Sequence, residues 1–228
     1  MAIRSLRGVA IHIVQEPARL AGGWLAHHAS ERAHIGLSGG NTVGEAYEFA
    51  AAQLPEWHGA HAWFGDERAV PPEHEHSNYR LVRETLLDRL RVPPVVQRVE
   101  GELGAPEAAD RYDRQLEGVT LDVALNGIGS DGHTASLFPN APALEDHERR
   151  AVAAKPGFEP FVDRVTLTPP MFARTRLLIY LVTGESKAEA VRRTFADESS
   201  PETPASLLRG VETIAILDAA AASQLPQG

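Results

Sequence analysis

The sequence predicts an α/β fold built on an open, mostly parallel sheet with helices on both faces, and three observations carry that prediction. Apolar runs of strand length alternate with helix-length amphipathic segments along the chain, as strand-crossover-strand units do. Glycine-rich turns directly follow two of those runs, at Leu37-Ser-Gly-Gly and Asn126-Gly-Ile-Gly. Neither an internal repeat nor a low-complexity linker interrupts the 228 residues, so one domain over 1–228 is expected, and 43% hydrophobic residues suffice for its core.

In chain order, the apolar run Val9–Val14 predicts the first strand, and the amphipathic stretch 17–31 predicts a helix. Ala33–Leu37 and a helix over 42–54 follow, joined through Ser38-Gly-Gly. Ala60–Gly65 is the next strand, ending in charge, and Ser77 or Asn78 caps a helix over 78–90. A helix over 106–117 precedes the strand Leu121–Asn126. The segment Pro139 to Pro160, rich in Pro, Ala and charge, is the least regular and reads as a flap beside the preceding loop. Ala151–Ala154, Arg164–Leu167, Leu177–Val182 and Thr213–Leu217 complete the strands, with helices over 185–196 and 203–208 and a short Ala-rich terminal helix after Asp218.

Composition narrows the function. No cysteine is present, which excludes disulfides and thiolate metal sites. The N-terminal Met1-Ala-Ile-Arg-Ser-Leu-Arg lacks the apolar run of a signal peptide. No stretch approaches the ~20 apolar residues of a transmembrane helix, so a cytoplasmic protein is expected. A formal charge of −9 disfavours nucleic acid and anionic membrane as partners. An anionic small molecule would need a local cationic site, which gives weight to single basic residues such as Lys155 and Lys187, the chain's two lysines.

The stretch Gly127-Ile-Gly-Ser-Asp-Gly-His-Thr-Ala-Ser-Leu-Phe-Pro139 is the most informative. Gly127, Gly129 and Gly132 permit tight turns and close approach to a ligand, while Asp131 and His133 supply an acid and an imidazole two residues apart. Packing alone requires neither group, so the loop reads as a site rather than as a turn whose Asp and His cap the next helix.

Three further elements lie at predicted strand ends, where open α/β sheets bind ligands. Ser38, Gly39, Gly40, Asn41 and Thr42 run from strand into helix, where unpaired N–H groups and a positive dipole end suit phosphate. Asp66, Glu67 and Arg68 follow the next strand, and since successive side chains diverge, one or two face the site. Arg164 and Lys187 form a split cationic element, and a lysine in the first turn of a helix makes sense if it meets an anion. Lys155 opens the connection Lys155-Pro-Gly-Phe-Glu-Pro160, which either folds over a bound substrate or remains a solvated connector. His27-His28 and His74-Glu-His76 lack further ligands and are weak metal signals.

With these residues in place, the chain resembles the 6-phosphogluconolactonase family, within the wider group of glucosamine-6-phosphate isomerase/deaminase-like proteins. The match runs through Ser38-Gly-Gly, Asp66-Glu-Arg, Ser77-Asn, Gly101-Glu, Asn126 to Pro139, Arg164-Val-Thr-Leu-Thr and Gly184-x-x-Lys187, and Asp131-Gly-His-Thr-Ala-Ser-Leu-Phe-Pro139 is its most specific part. Asn41, Val43 and His76 depart from the residues often found at their positions. The resemblance implies a Rossmann-like, NagB/RpiA/CoA-transferase-like sheet. It also implies a carboxylic ester hydrolase of the oxidative pentose phosphate pathway that opens 6-phospho-D-glucono-1,5-lactone without cofactor or metal. By similarity, His133 activates water, Asp131 supports it, and Arg68, with Asp66 beside it, faces the reacting end. Arg164, Lys187 and the Ser38–Thr42 loop hold the phosphate, with Lys155 as a further contact.

A δ-lactone needs a positioned water, a base near neutral pKa and stabilisation of the oxyanion. Histidine, unperturbed at about 6.5, suits the base. Ser136 and Thr134 lie outside any nucleophile elbow, which argues against an acyl-enzyme. Two other readings share the phosphate clamp: an amino-sugar-phosphate isomerase or deaminase, and a non-catalytic sugar-phosphate module. The deaminase pattern has a glutamate after the His loop, whereas no acid follows here before Glu145. The sensor reading lacks a basic helix-turn-helix. A small phosphorylated sugar lactone is the expected partner, acting on a monomer or homodimer.

Overall fold

The computed structural model describes residues 2–226. Its strands are β1 (Ala2–Leu6), β2 (Val9–Ile13), β3 (His34–Leu37), β4 (His61–Phe64), β5 (Asp66–Arg68), β6 (Val95–Gln97), β7 (Val123–Asn126), β8 (Ala151–Ala154), β9 (Arg164–Leu167), β10 (Leu177–Val182) and β11 (Glu212–Leu217). Its helices are α1 (Pro17–His28), α2 (Asn41–Gln53), α3 (Asn78–Thr85), α4 (Ala105–Gln115), α5 (Pro169–Ala173), α6 (Ala188–Phe195) and α7 (Pro204–Leu207).

Eight strands form the main sheet in the order β1-β2-β11-β10-β7-β3-β4-β6. All neighbours are parallel except the edge strand β1, which pairs antiparallel with β2. Every residue of β7 and β10 is buried, so both faces of the sheet centre are covered. No helix among the described residues is long and apolar enough to cross a membrane.

The order of connections places the site. From β3 the chain moves outward to β4 and β6, then returns to β7 on the other side of β3 and proceeds the opposite way to β10 and β11. The reversal falls between β3 and β7, paired through Ile35↔Val123 and Gly36↔Ala124. Loops leaving these two strands diverge, which opens a crevice beyond their carboxyl ends.

A second sheet, β5-β9-β8, is antiparallel throughout. This corrects the expectation that Ala151–Ala154 and Arg164–Leu167 belong to the main parallel sheet. Residues 155–163, nine in number, are too few for the dozen or more that a parallel crossover needs. The expected strand Ala60–Gly65 is β4 of the main sheet, and after Gly65 the chain passes into β5 of the second sheet. β1 and β6 escape an apolar-run reading because they are exposed edge strands, β6 only three residues long.

The helices are shorter than the periodicity suggests. α3 ends at Thr85 and a 3₁₀ turn, Leu87–Arg89, follows, while Glu185–Lys187 forms a 3₁₀ turn leading into α6. The Ala-rich stretch after Asp218 makes turns and not a helix. So short a segment cannot repay helix nucleation, and the Asp218 carboxylate instead accepts N–H groups from Ala221 at 2.6 Å and Gly184 at 3.0 Å. The expected flap from Pro139 to Pro160 is anchored in its first half: Ala143 and Leu144 are buried, and the Asn140 N–H donates to the Pro201 carbonyl at 2.9 Å.

Glu67 shows how the divergence of neighbouring side chains is resolved. Its buried carboxylate turns away from the crevice and accepts N–H groups of Arg68, Asn78 and Tyr79, each at 2.7 Å, and the Ser77 hydroxyl at 3.2 Å. Ser77 Oγ in turn accepts the Arg80 N–H at 3.2 Å and caps α3. Burial pushes the Glu67 carboxyl up to about 7, against the opposing pull of its backbone donors. Glu67→Gln places an amide N–H against these donors, and leaving a buried donor unpaired costs about 1–3 kcal/mol. The expected result is a melting temperature lower by about 4–8 °C for a loss of about 2 kcal/mol in a chain of this size. Thermal unfolding followed by circular dichroism measures it, and an unchanged midpoint would remove Glu67 as the anchor of α3.

Candidate active site

The loop after β7 is closed by its own backbone. Gly129 N–H donates to the His133 carbonyl at 2.8 Å, Gly132 N–H to the Gly129 carbonyl at 2.9 Å, and Thr134 Oγ1 to the Gly127 carbonyl at 2.9 Å. Glycine is required twice. Gly132 has φ +93°, and a Cβ on Gly129 would occupy the space of the His133 ring and the Asp131 carboxylate. This tight turn carries the sequence-predicted pair into contact, with His133 Nδ1 2.6 Å from Asp131 Oδ1 and the His133 N–H donating to the same oxygen at 3.0 Å. A carboxylate partner assigns the proton to Nδ1 and leaves Nε2 as the acceptor. Burial raises the Asp131 carboxyl, but the His133 hydrogen bonds and charge outweigh it and leave the group below its ordinary value. The imidazole is flanked by Phe138 and Phe158, with ring centroids 4.9 and 5.8 Å away.

Asp66 and Arg68 both line the same cleft, since alternate residues of β5 share a face. The buried Asp66 carboxylate accepts the Ser136 hydroxyl at 2.6 Å and the Asn78 amide at 3.1 Å. Arg68 Nη1 donates to the His76 carbonyl at 2.7 Å. Arg164 stands opposite Arg68 in the β5–β9 register. Burial, then the nearby Arg68 charge, lowers the Arg164 pKa. Arg164 donates through Nε to Val162 O at 2.9 Å and through Nη2 to Phe158 O at 3.2 Å and Pro160 O at 2.8 Å, so Nη1 is the part of its fork without a protein acceptor.

On the β3 side, Gly40 has φ +119° and stands at the N-cap of α2 without a side-chain cap bond, which leaves the first N–H groups of the 13-residue helix facing the cleft. A Cβ on Gly39 would collide with the Asn78 side chain. Ser38, expected to offer a donor, is built into the scaffold instead: its hydroxyl donates to Leu125 O at 2.7 Å, and its N–H and C=O both engage Tyr47 Oη at 2.8 Å. Asn41 and Thr42 line the cleft, with Thr42 Oγ1 3.1 Å from Thr183 Oγ1. Half-buried Lys187 joins them from the turn before α6, its pKa lowered by desolvation against the raising effect of Asp131.

The structure therefore brings His133, Asp66, Arg68, Ser38, Gly39, Gly40, Asn41, Thr42, Arg164 and Lys187 around one cleft of about 410 Å³. Asp131 belongs to it through His133. The expected contact Lys155 is not among them: its side chain is 86% exposed and its ammonium pairs with Asp163 at 2.8 Å, a clasp across the base of its loop. Phe158 and Glu159 of that loop reach the cleft in its place. Nothing in local sequence marks them, since only the folding back of residues 155–163 puts them there. A shallower groove of about 1220 Å³ lies at the ends of β2 and α1, but its one arginine, Arg19, is paired with Glu16 at 3.6 Å, and no Asp–His pair or glycine turn opens into it. Among the described residues no group of three or more acidic or histidine side chains converges as a metal site.

Against known proteins, residues 12–216 match the family described as glucosamine-6-phosphate isomerases/6-phosphogluconolactonase. The 6-phosphogluconolactonase of Mycobacterium leprae is 34% identical over 215 residues, covering 87% of each chain. That of Homo sapiens is 37% identical over 194 residues, covering 79% of this chain and 75% of its own. The solved 6-phosphogluconolactonase from Trypanosoma cruzi superposes with a TM-score of 0.82 at 29% identity, over 100% of both chains.

Lys187 and the open N-terminus of α2 line the same cleft, and if they hold an anion together, its affinity is expected to depend on the lysine's proton. Because desolvation lowers the Lys187 pKa from 10.5, affinity for inorganic phosphate is expected to fall as pH rises toward and through that lowered value. A bound anion favours the ammonium, so binding takes up a proton in this range. Lys187→Arg, with a guanidinium pKa above ~12, should move the loss to higher pH. Calorimetric titration between pH 8 and 10.5 tests this, and identical pH profiles for both proteins would place the anion elsewhere.

Proposed function

The chain belongs to the glucosamine-6-phosphate isomerase/6-phosphogluconolactonase family, and from that premise we propose how its residues divide the work of the family's lactone hydrolysis. The reaction is the opening of 6-phospho-D-glucono-1,5-lactone to 6-phospho-D-gluconate in the oxidative pentose phosphate pathway. The observation that carries the assignment of roles is the 2.6 Å contact between His133 Nδ1 and Asp131, which leaves Nε2 as a base inside a cleft that Arg68, Arg164 and Lys187 also line.

The phosphate sits against Lys187, Thr42 and the N–H groups opening α2, where charge and helix dipole act together. The lactone carbonyl then lies toward His133. Nε2 removes a proton from water as its oxygen attacks C1, and Asp131 stabilises the imidazolium through Nδ1–H. Arg68 and the free Nη1 of Arg164 oppose the charge developing on the carbonyl oxygen. The C1–O5 bond breaks, the imidazolium returns its proton to O5, and the resulting acid ionises to a carboxylate. No enzyme nucleophile takes part in this route. Ser136 is fully buried and donates to Asp66, and buried Thr134 donates to Gly127 O. With both its oxygens engaged, Asp66 acts by holding the loops in place and not by exchanging a proton. We take residues 1–228 as one domain, a reading supported by one contiguous core that spans Val9 to Leu225.

Replacing His133 with Ala or Asn should lower kcat by roughly 10²–10⁴ with little change in KM, as expected for loss of a general base. Freshly generated lactone with acid release measured above the spontaneous rate is the assay, and a variant with near-native kcat would refute the base. Exhaustive chelation should leave that rate intact, and glucosamine 6-phosphate should yield no ammonia. Chelator-sensitive activity restored by zinc would overturn the metal-free mechanism.

A further inference from the structure

Three cations, Arg68, Arg164 and Lys187, line the cleft, and so does one acidic residue that the mechanism leaves unused, Glu159. Its placement is not that of a loose loop tip. Arg164 Nη2 donates to Phe158 O at 3.2 Å and to Pro160 O at 2.8 Å, the carbonyls on either side of Glu159, and the Lys155–Asp163 pair at 2.8 Å closes the base of the same loop. The adjoining Phe158 ring packs 5.8 Å from the His133 ring, so this segment borders the reacting end of the cleft. Glu159 is exposed and takes part in no ion pair among the described residues, so its charge is not offset by a protein cation.

An unpaired carboxylate in a cleft for a dianionic phosphate needs a reason, and the reaction supplies one. Substrate and product carry the same phosphate but differ at C1, where a neutral lactone becomes a carboxylate. A site with three cations retains that product unless something opposes the new charge. We propose that Glu159 is a specificity-determining residue that discriminates against the product by like-charge repulsion at C1 and so speeds its release. This inference rests on lactone hydrolysis as the activity, because only that chemistry creates charge next to His133. The bonds of Arg164 to Phe158 O and Pro160 O hold the backbone on either side of Glu159 at the cleft, which gives this arginine a second task besides its free Nη1.

The test compares two ligands that differ only in the carboxylate, 6-phosphogluconate and glucitol 6-phosphate, by titration calorimetry on wild type and Glu159→Gln. The Gln variant should bind 6-phosphogluconate about three- to tenfold more tightly, the scale for charges several ångströms apart in a solvated cleft. Glucitol 6-phosphate should change by less than about twofold, and the gain should shrink at high salt. Equal tightening of both ligands would mean that Glu159 acts on the phosphate. Weaker binding of either would make it a hydroxyl acceptor, and unchanged affinities would leave it without a role; each overturns the proposal. Lactone turnover measured on the same wild-type preparation separates the two levels: an inactive enzyme refutes the activity itself, whereas an active enzyme with an unmoved affinity ratio refutes only Glu159.

Discussion

The buried carboxylate of Asp66 is the junction on which the site depends. It stands where the chain leaves the main sheet for the small one, and its oxygens are met by Ser136 from the loop after β7 and Asn78 from the start of α3. Across the β5–β9 register it faces Thr166, whose hydroxyl accepts the Ser136 N–H at 3.3 Å. A buried charge tolerates few arrangements, because losing one partner leaves it desolvated and underpaired. Three loops that share no sequence proximity are thereby locked into one relative geometry, and the Asp131–His133 pair inherits its position from that lock.

Electrostatics in the cleft run against the chain as a whole. With a net charge of −9, long-range attraction cannot gather an anionic substrate, so affinity must come from desolvated cations held in place. Arg164 is placed opposite Arg68, and burial first, then the Arg68 charge, disfavours its guanidinium's charge. Lys187 is likewise depressed by desolvation. Such groups gain more from a bound anion than exposed ones would, since the ligand relieves repulsion that the folded protein already carries. Glu67, one residue from both Asp66 and Arg68, is turned away and saturated by the start of α3, and acts on the cleft only through the charge it places near Arg164.

Much of this was legible in the residues. The glycines at 39, 40, 129 and 132 mark places where a Cβ or an ordinary φ is excluded, and that is local chemistry that sequence expresses directly. The Asp131–His133 contact is likewise local, because a two-residue separation on a glycine turn brings the side chains together. Lys155 is less legible: it is a rare lysine beside an anion loop, open to a substrate contact or a solvated connector, and its pairing with Asp163 eight residues on comes from the folding of the loop.

By itself the sequence determined the βα alternation, the glycine turns at the ends of β3 and β7, and the Asp131–His133 pair, because each depends on residues within a few positions of one another. Only the tertiary structure decided that β8 and β9 leave the main sheet, that the Ser38 hydroxyl is scaffold, and that Arg164 holds a loop with most of its fork. It also decided that Phe158 and Glu159 enter the cleft. The reason is physical: these outcomes turn on which strand edge is free to pair and which buried polar group finds a donor, and those are settled between segments far apart in the chain.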